Sequence, residues 1–199
     1  MKDIFTDIYK TNFWKNNESV SGHGSTMDET ASIRLILPKL FRELHVKTVL
    51  DIPCGDCNWV KDLWPELDWY IGADVVEELI AENKERFHHE AEFRVLDATK
   101  SELPKVDLIL CRDLLGHFSN RDVKAALKNF RASGSKWLLA TTFPGRENEA
   151  HDIKTGQWRP IDLGYMWGLP TPLLYIYENC TAGNGKFKDK ALGLWELKG

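Results

Sequence analysis

The sequence predicts an α/β fold: a doubly wound, mostly parallel seven-stranded sheet with one antiparallel strand near the C-terminus. Short β-branched, apolar runs alternate with stretches whose apolar residues recur at helical spacing, which is the pattern of strand and crossover-helix units. The chain has 199 residues, enough for one hydrophobic domain and too few for two large ones. Its last two apolar runs are joined by a turn-rich segment and read as a hairpin, which adds the antiparallel strand.

The elements follow in order. A first helix is expected from Thr26 to about His45: Thr26 and Glu29 form a capping box, and Ile33, Ile36, Leu37, Leu40, Phe41 and Leu44 share one face. Pro38 is expected to kink it. Thr48–Ile52 (TVLDI) is a buried strand and Trp69–Ala73 (WYIGA) a second, followed by a helix from Val75 to about Phe87. Phe93–Leu96 and Val106–Cys111 make two more strands. Ser119, with Asp122 three residues on, opens a helix that buries Val123, Ala126, Leu127 and Phe130 and stops at Ser133-Gly134. Trp137–Thr142 (WLLATT) is the fifth strand, and Leu173–Cys180 and Ala191–Leu197 form the terminal hairpin. Between them Phe143–Pro172 is rich in Gly, Pro, Trp and charge; a stretch that long reads as a substrate-binding loop, with room for a short helix. The whole of 1–199 is read as one domain with residues 1–47 as a leader and helix.

Composition narrows the function classes. At this length roughly 70% of the unfolded surface is buried on folding, so neither metals nor disulfides are needed to make a core. With 26 basic and 30 acidic side chains, a net charge of −4 and both signs mixed along the chain, there is no footprint for polyanions, and nucleic acid is not the expected partner. No apolar run approaches the roughly 18 to 20 residues of a membrane span, and MKDIFTDIYKTNFW lacks the layout of a signal peptide. A cytoplasmic protein is expected, with a small-molecule or glycan substrate and with Cys54, Cys57, Cys111 and Cys180 as free thiols or site residues.

The most informative stretch is Thr48–Trp59, TVLDIPCGDCNW, where a buried strand ends in an acid and enters a tight turn around Gly55. Asp74 ends the second strand 19 residues after Gly55, and Asp97 lies just past the third. An acid at the second strand's end can accept both hydroxyls of a ribose. As alternatives, Asp74 caps the next helix with Glu77, and Asp97 makes a simple Asx turn. This arrangement resembles the class I S-adenosylmethionine-dependent methyltransferases, with a Rossmann-like sheet. The resemblance implies that Asp51 orients the ammonium of S-adenosylmethionine, Gly55 admits close backbone approach, Asp97 meets the adenine amino group and Ala98 supplies an amide. It departs from the family in keeping one of three alternating glycines, with Pro53 and Cys57 at the flanking positions.

The leader is similar to that of bacterial and phage-borne methyltransferase-domain proteins, at Trp14, Ser21, Gly22, Gly24, Ser25 and Thr30, and the similarity continues through TTFP (Thr141–Pro144) and TGQWRP (Thr155–Pro160). Together these imply a cofactor set of Trp14, Ser21, Gly22, Asp51, Pro53, Gly55, Asp56, Trp59, Asp74, Val75, Asp97, Ala98 and Arg112, with S-adenosylhomocysteine as the product. Beyond the fourth strand, CRDLLGHFS supplies His117 and Asp113 as candidate bases. Arg112 has two candidate partners, the cofactor carboxylate and Asp113, and His117 has a packing role as its alternative. His23 is a further residue that could face the methyl group. Trp158, Arg159, Tyr165 and Trp167 offer aromatic faces and a cation for the acceptor.

Other readings of the same residues are weaker. Cys54 and Cys57 have the C-x-x-C spacing of a dithiol redox site, but that reading leaves Asp51, Asp74 and Asp97 unexplained. Cysteine and histidine spacings suit no zinc site, so no metal is expected. The chain lacks the Gly-Lys-Ser/Thr of a P-loop and the glycines of a dinucleotide fingerprint. A cofactor-binding module without turnover is the non-enzyme alternative.

Overall fold

The strands β1 (Thr48–Asp51), β2 (Trp69–Asp74), β3 (Glu92–Val95), β4 (Leu108–Cys111), β5 (Trp137–Thr142), β6 (Leu174–Tyr177) and β7 (Ala191–Glu196) form one sheet in the order β3-β2-β1-β4-β5-β7-β6. The computed structural model describes residues 1–148, 151–166 and 168–197. β1 to β5 pair in parallel, and β7 runs antiparallel to both β5 and β6. This is the expected sheet, with its single reversed strand supplied by the terminal hairpin.

The apolar runs are continuous because both faces of the sheet are covered. Successive residues alternate between two cores: Val49, Leu108, Leu110 and Leu139 pack with Ile33, Leu37 and Phe41 of α2 (Ala31–Leu44). Leu50, Ile71, Ile109 and Leu138 pack with Val123, Leu127 and Phe130 of α4 (Asn120–Ala132). α3 (Glu77–Arg86) lies on the α2 side through Ile80. Chain order along the sheet reverses between β1 and β4, so a crevice opens where their carboxyl ends diverge, which is where ligands bind in such sheets.

Local expectations hold at α4, where Ser119 Oγ accepts the Asp122 N–H at 3.3 Å. They fail at the start of α2. The helix begins at Ala31 rather than Thr26: Thr26 Oγ1 accepts the Glu29 N–H at 3.4 Å, but the Glu29 carboxylate is taken by the amide at 3.2 Å and the hydroxyl of Thr181, so only half of the capping box forms. Tertiary bonds to a buried carboxylate outweigh a local cap. α2 also continues through Pro38 over 14 residues. The loop after β5 holds the short helix α5 (Leu163–Met166). The expectations for the side chains of Tyr165 and Trp167 lie outside the described part of the chain.

The N-terminal helix α1 (Lys2–Lys10) was not expected. Met1 and Phe5 lean on the core, with the Phe5 ring 6.2 Å from that of Phe118. Lys2 pairs with Glu77 and Lys10 with Glu78, both at 2.6 Å, and Tyr9 donates to Glu82 at 2.5 Å. Exposed pairs of this kind are weakened by solvent screening, so the apolar contacts carry most of the docking. Among the described residues no helix is long and apolar enough to cross a membrane.

Asp107 ties the starts of β1 and β4 together by accepting the amides of Lys47 (2.9 Å) and Thr48 (2.8 Å) and the Thr48 hydroxyl (2.9 Å). Burial raises its pKa, but these donors outweigh burial and hold it below the usual carboxylate value. Its stabilisation is therefore present at neutral pH and is lost as pH falls through the depressed pKa. Asp107→Ala should destabilise the fold by about 2 kcal/mol in urea unfolding at pH 7, and by less near pH 3.

Candidate active site

A cavity of about 500 Å³ opens at the carboxyl ends of β1, β2 and β4. Of the residues singled out in the sequence, Trp14, Ser21, Gly22, Asp51, Pro53, Gly55, Trp59, Asp74, Val75, Ala98, Arg112, Asp113, His117 and Trp158 line it, as does His23. Asp56 and Asp97 do not line it. Asp97 Oδ1 accepts the backbone N–H (2.9 Å) and hydroxyl (2.6 Å) of Thr99, and Lys100 Nζ is 3.5 Å from Oδ2. That is the Asx turn weighed as its alternative.

Two buried carboxyl groups face the cavity at one end. Asp51, at the tip of β1, is 3% exposed and accepts the Tyr70 hydroxyl at 2.7 Å. Burial raises its pKa to about 7, with the Tyr70 bond and Arg112 pulling the other way. Asp74, at the tip of β2, is 8% exposed and accepts the Val76 N–H at 3.1 Å. Burial raises it to about 6, partly offset by the amides of Val76, Gly55 and Val75. Because α3 starts only at Glu77, with Val76 at its cap position and no side-chain cap bond, Asp74 is not the cap of that helix. Asp51 accepts one side-chain bond and Asp74 is held by backbone amides, and both line the cavity, where a polar ligand can supply further donors. Apolar Val75, Leu79, Leu96 and Ala98 complete this end.

The leader is clasped over the turn after β1. Asp56 accepts the Ser19 hydroxyl at 2.9 Å and the Val20 N–H at 3.0 Å. Gly55 has φ +54, and a Cβ there would lie 2.0 Å from Ser21 Oγ. Glycine is favoured there by the left-handed backbone, and the chain's own leader adds to the demand. Asn83 of α3 donates to the Gly55 carbonyl at 2.7 Å and pins the turn from below.

At the other end of the cavity four charges cancel. The Arg112 guanidinium bonds Glu178 Oε2 through Nη2 (2.5 Å) and Nε (3.2 Å), and the Gly24 carbonyl at 2.7 Å. Lys190 Nζ bonds Asp113 Oδ2 at 2.6 Å and lies 3.3 Å from Glu178 Oε2. Although burial alone would raise Asp113, Lys190 and Arg112 hold its carboxyl far below the usual range, so it is a poor proton acceptor. Of its two candidate partners, Arg112 does take Asp113, Nη1 lying 3.3 Å from Oδ2. Glu178 and Lys190 sit in segments whose sequence carried no signal of this role. Tyr70 was likewise hidden inside a strand.

His117 is better placed as a base. Its Nδ1 is 3.0 Å from the Gln157 carbonyl, an acceptor, so in the neutral ring Nδ1 carries the hydrogen and Nε2 holds the free lone pair. Burial lowers the His117 pKa below its ordinary value, with Asp113 and the Gln157 carbonyl opposing, which keeps the ring neutral at pH 7. The TGQWRP segment explains this orientation. Gly156 N–H donates to the His117 carbonyl at 2.8 Å, Arg159 N–H to the Gly116 carbonyl at 3.0 Å, and Thr155 Oγ1 to Asp122 at 2.6 Å. Buried Arg159 is no free cation, since its Nη2 bonds the Phe118 carbonyl (3.2 Å) and Asn120 Oδ1 (2.7 Å). The chain thus lies along the His117 turn, and Trp158 faces the cavity.

All four cysteines are free and buried. Burial pushes the Cys54 thiol well above its ordinary pKa, opposite to what a dithiol nucleophile requires. Among the described residues no group of histidine, cysteine and carboxylate side chains is arranged to hold a metal ion.

Residues 49–133, less than half of the chain, match the model of the methyltransferase domain family. No curated protein matches the chain in sequence. Among solved structures, an S-adenosylmethionine-dependent methyltransferase from Clostridium acetobutylicum is similar with a TM-score of 0.63 at 15% identity, over 99% of each chain. The N-methyltransferase NodS from Bradyrhizobium japonicum, solved with S-adenosylhomocysteine, gives 0.63 at 14% identity over 96% of this chain and 99% of that one. The methyltransferase domain of bacterial CtHen1-C gives 0.62 at 14% identity over 87% of this chain and all of that one, 100%. At these identities the likeness is one of fold. Residues 49–133 thus match the methyltransferase domain family, and the chain shares the Rossmann-like fold of these S-adenosylmethionine-dependent methyltransferase structures.

Proposed function

We propose that this chain is a cytoplasmic, single-domain methyltransferase that uses S-adenosylmethionine to methylate a small-molecule or glycan acceptor. The observation that carries the reading is the pair of buried strand-end carboxyls, Asp51 and Asp74, sharing one cavity with a neutral histidine. The residues fit the cofactor's chemistry. Asp51 would hold its ammonium, Asp74 its ribose hydroxyls, and Val75, Leu79, Leu96 and Ala98 its adenine, while Trp14, Ser21 and Gly22 of the leader cover it. The cavity volume, about 500 Å³, lies in the range usual for cofactor sites. When bound, S-adenosylmethionine supplies a methyl group already activated on a sulfonium.

What remains for the chain is positioning and proton removal. His117 Nε2 takes the acceptor's proton, and the Gln157 carbonyl holds the ring in the tautomer that leaves Nε2 free. Asp113, locked to Lys190 and Arg112, orients the wall of the acceptor pocket and supports the charge that His117 gains. Release of S-adenosylhomocysteine from S-adenosylmethionine with pooled acceptors tests the enzyme reading against a silent binding module.

Since the Asp51 pKa is raised to about 7, the ligand-free carboxyl is protonated below that pH and an ammonium gains nothing from it. Calorimetric affinity for S-adenosylhomocysteine should rise by up to about tenfold per pH unit toward pH 7 and then level, and Asp51→Asn should flatten the profile. Asp74→Ala should weaken binding by about 1.5 to 3 kcal/mol, the worth of hydrogen bonds to a charged group, without lowering the melting temperature. His117→Ala should lower turnover by roughly 10²-fold or more and leave S-adenosylhomocysteine affinity within about twofold. The wild-type rate should climb with pH through a pKa below 6.5 and be flat at pH 7 to 8, because only the neutral imidazole is active.

A further inference from the structure

The acceptor end of the cavity has a chemistry of its own. Phe143, Trp158 and Phe187 meet edge to face there, with ring centroids 5.0 to 6.2 Å apart. Arg146 braces them from behind, 5.2 Å from the Phe143 ring and 5.4 Å from that of Phe187, and is itself tied to Asp189. Phe143 is buried, but Trp158, which also lines the cavity, remains 43% exposed. Across from it the His117 ring lies 5.6 Å from that of Trp14.

Charge excludes two acceptor classes. Among the described residues the lysine and arginine lining the cavity, Lys190 and Arg112, are both bonded to carboxylates, and His23 Nε2 lies 3.4 Å from the Glu29 carboxylate, so no cation is free for a phosphate or carboxylate. The Asp113 carboxylate is likewise committed to Lys190, and Glu178, whose Oε1 has no partner among the described residues, does not line the cavity and is held by Arg112 through Oε2, so no free carboxylate lines this end to receive an ammonium. What is left is an exposed indole, two further aromatic edges and one imidazole nitrogen.

Resting on the methyl-transfer reading above, we infer that the acceptor is an uncharged hydroxylated aromatic ring, stacked on Trp158 with its hydroxyl at Nε2 of His117. Acidity favours a phenol over a sugar hydroxyl for a neutral imidazole to deprotonate. A phenolic proton has a pKa of about 10, whereas an aliphatic hydroxyl lies near water at about 15.7. In the step, the phenolic proton passes to His117 Nε2 and the phenolic oxygen forms the new bond to the methyl carbon. The old carbon–sulfur bond breaks with its electron pair staying on sulfur, which leaves a neutral thioether, and the imidazolium later returns its proton to water.

The experiment compares phenol with cyclohexanol, which share a ring size and a hydroxyl and differ in aromaticity, on the full chain saturated with S-adenosylhomocysteine. Ethanolamine and glucose are run beside them, and methyl label from S-adenosylmethionine is followed into each. Phenol should bind at least about tenfold more tightly than cyclohexanol, the ratio expected of one or two aromatic contacts, and should take up the label. Trp158→Ala should abolish the preference, Trp158→Phe should keep most of it, and both variants should still bind S-adenosylhomocysteine, which shows them folded. Equal binding of phenol and cyclohexanol, no binding of either, label in ethanolamine or glucose but not in phenol, or an unchanged preference in Trp158→Ala would each overturn the inference. Failure of the wild-type protein to bind S-adenosylhomocysteine would instead remove the methyltransferase reading, and this inference with it.

Discussion

Burial of acidic side chains at the tips of parallel strands is the constraint around which this molecule is arranged. Asp51, Asp74 and Asp113 follow β1, β2 and β4 into one crevice, yet they differ in basicity because their partners differ. Asp51 has a phenol and Asp74 has amides, and burial wins at both. Asp113 has two cations, which win over burial. For the first two the folded-state pKa lies above the unfolded value of about 3.9, so the ligand-free fold loses stability as pH rises between about 4 and 7. A rigid sheet, apolar on both faces, tolerates that loss, and a polar ligand bound in the crevice would relieve it.

The proton chemistry is set by a second arrangement. Residues Thr155–Arg159 lie along the Gly116–His117 turn by main-chain bonds, so the carbonyl of Gln157 meets one imidazole nitrogen and leaves the other toward the cavity. Gly156 is needed for two reasons: its φ is +101, and a Cβ would come within 2.5 Å of Ile4 of α1. The same five residues therefore orient the histidine, present Trp158 and receive the N-terminal helix. α1 itself has no buried residue and is held by the partly buried Phe5 and by exposed ion pairs to α3, which puts it at the low end of local stability among the elements covering the cavity.

At Gly55 the turn has a second cause beside the one legible in the sequence. Its turn was legible from the strand before it and the acid spacing after it. In the folded protein the left-handed backbone at Gly55 is joined by a close contact with Ser21, 34 residues earlier in sequence, placed there because Asp56 bonds Ser19 and Val20. The leader motif and the glycine turn are one structure, which also explains why Asp56 serves the leader and does not line the cavity.

The sequence by itself determined the sheet, its reversed strand, the two faces of core and the acids at the strand ends. Those depend on period-two and period-3.6 burial and on strand termini, which are local properties of the chain. Tertiary structure alone decided which of those acids stay basic, which hydrogen-bond capacity is spent internally and which is left for a ligand. Glu29 was drawn from its helix start to Thr181, and Arg112 and Asp113 were paired with Glu178 and Lys190, residues 66 and 77 positions away. Such pairings carry no periodic signal, because they arise only when the folded sheet brings distant loops into one region of low dielectric, where unpaired charge is costly.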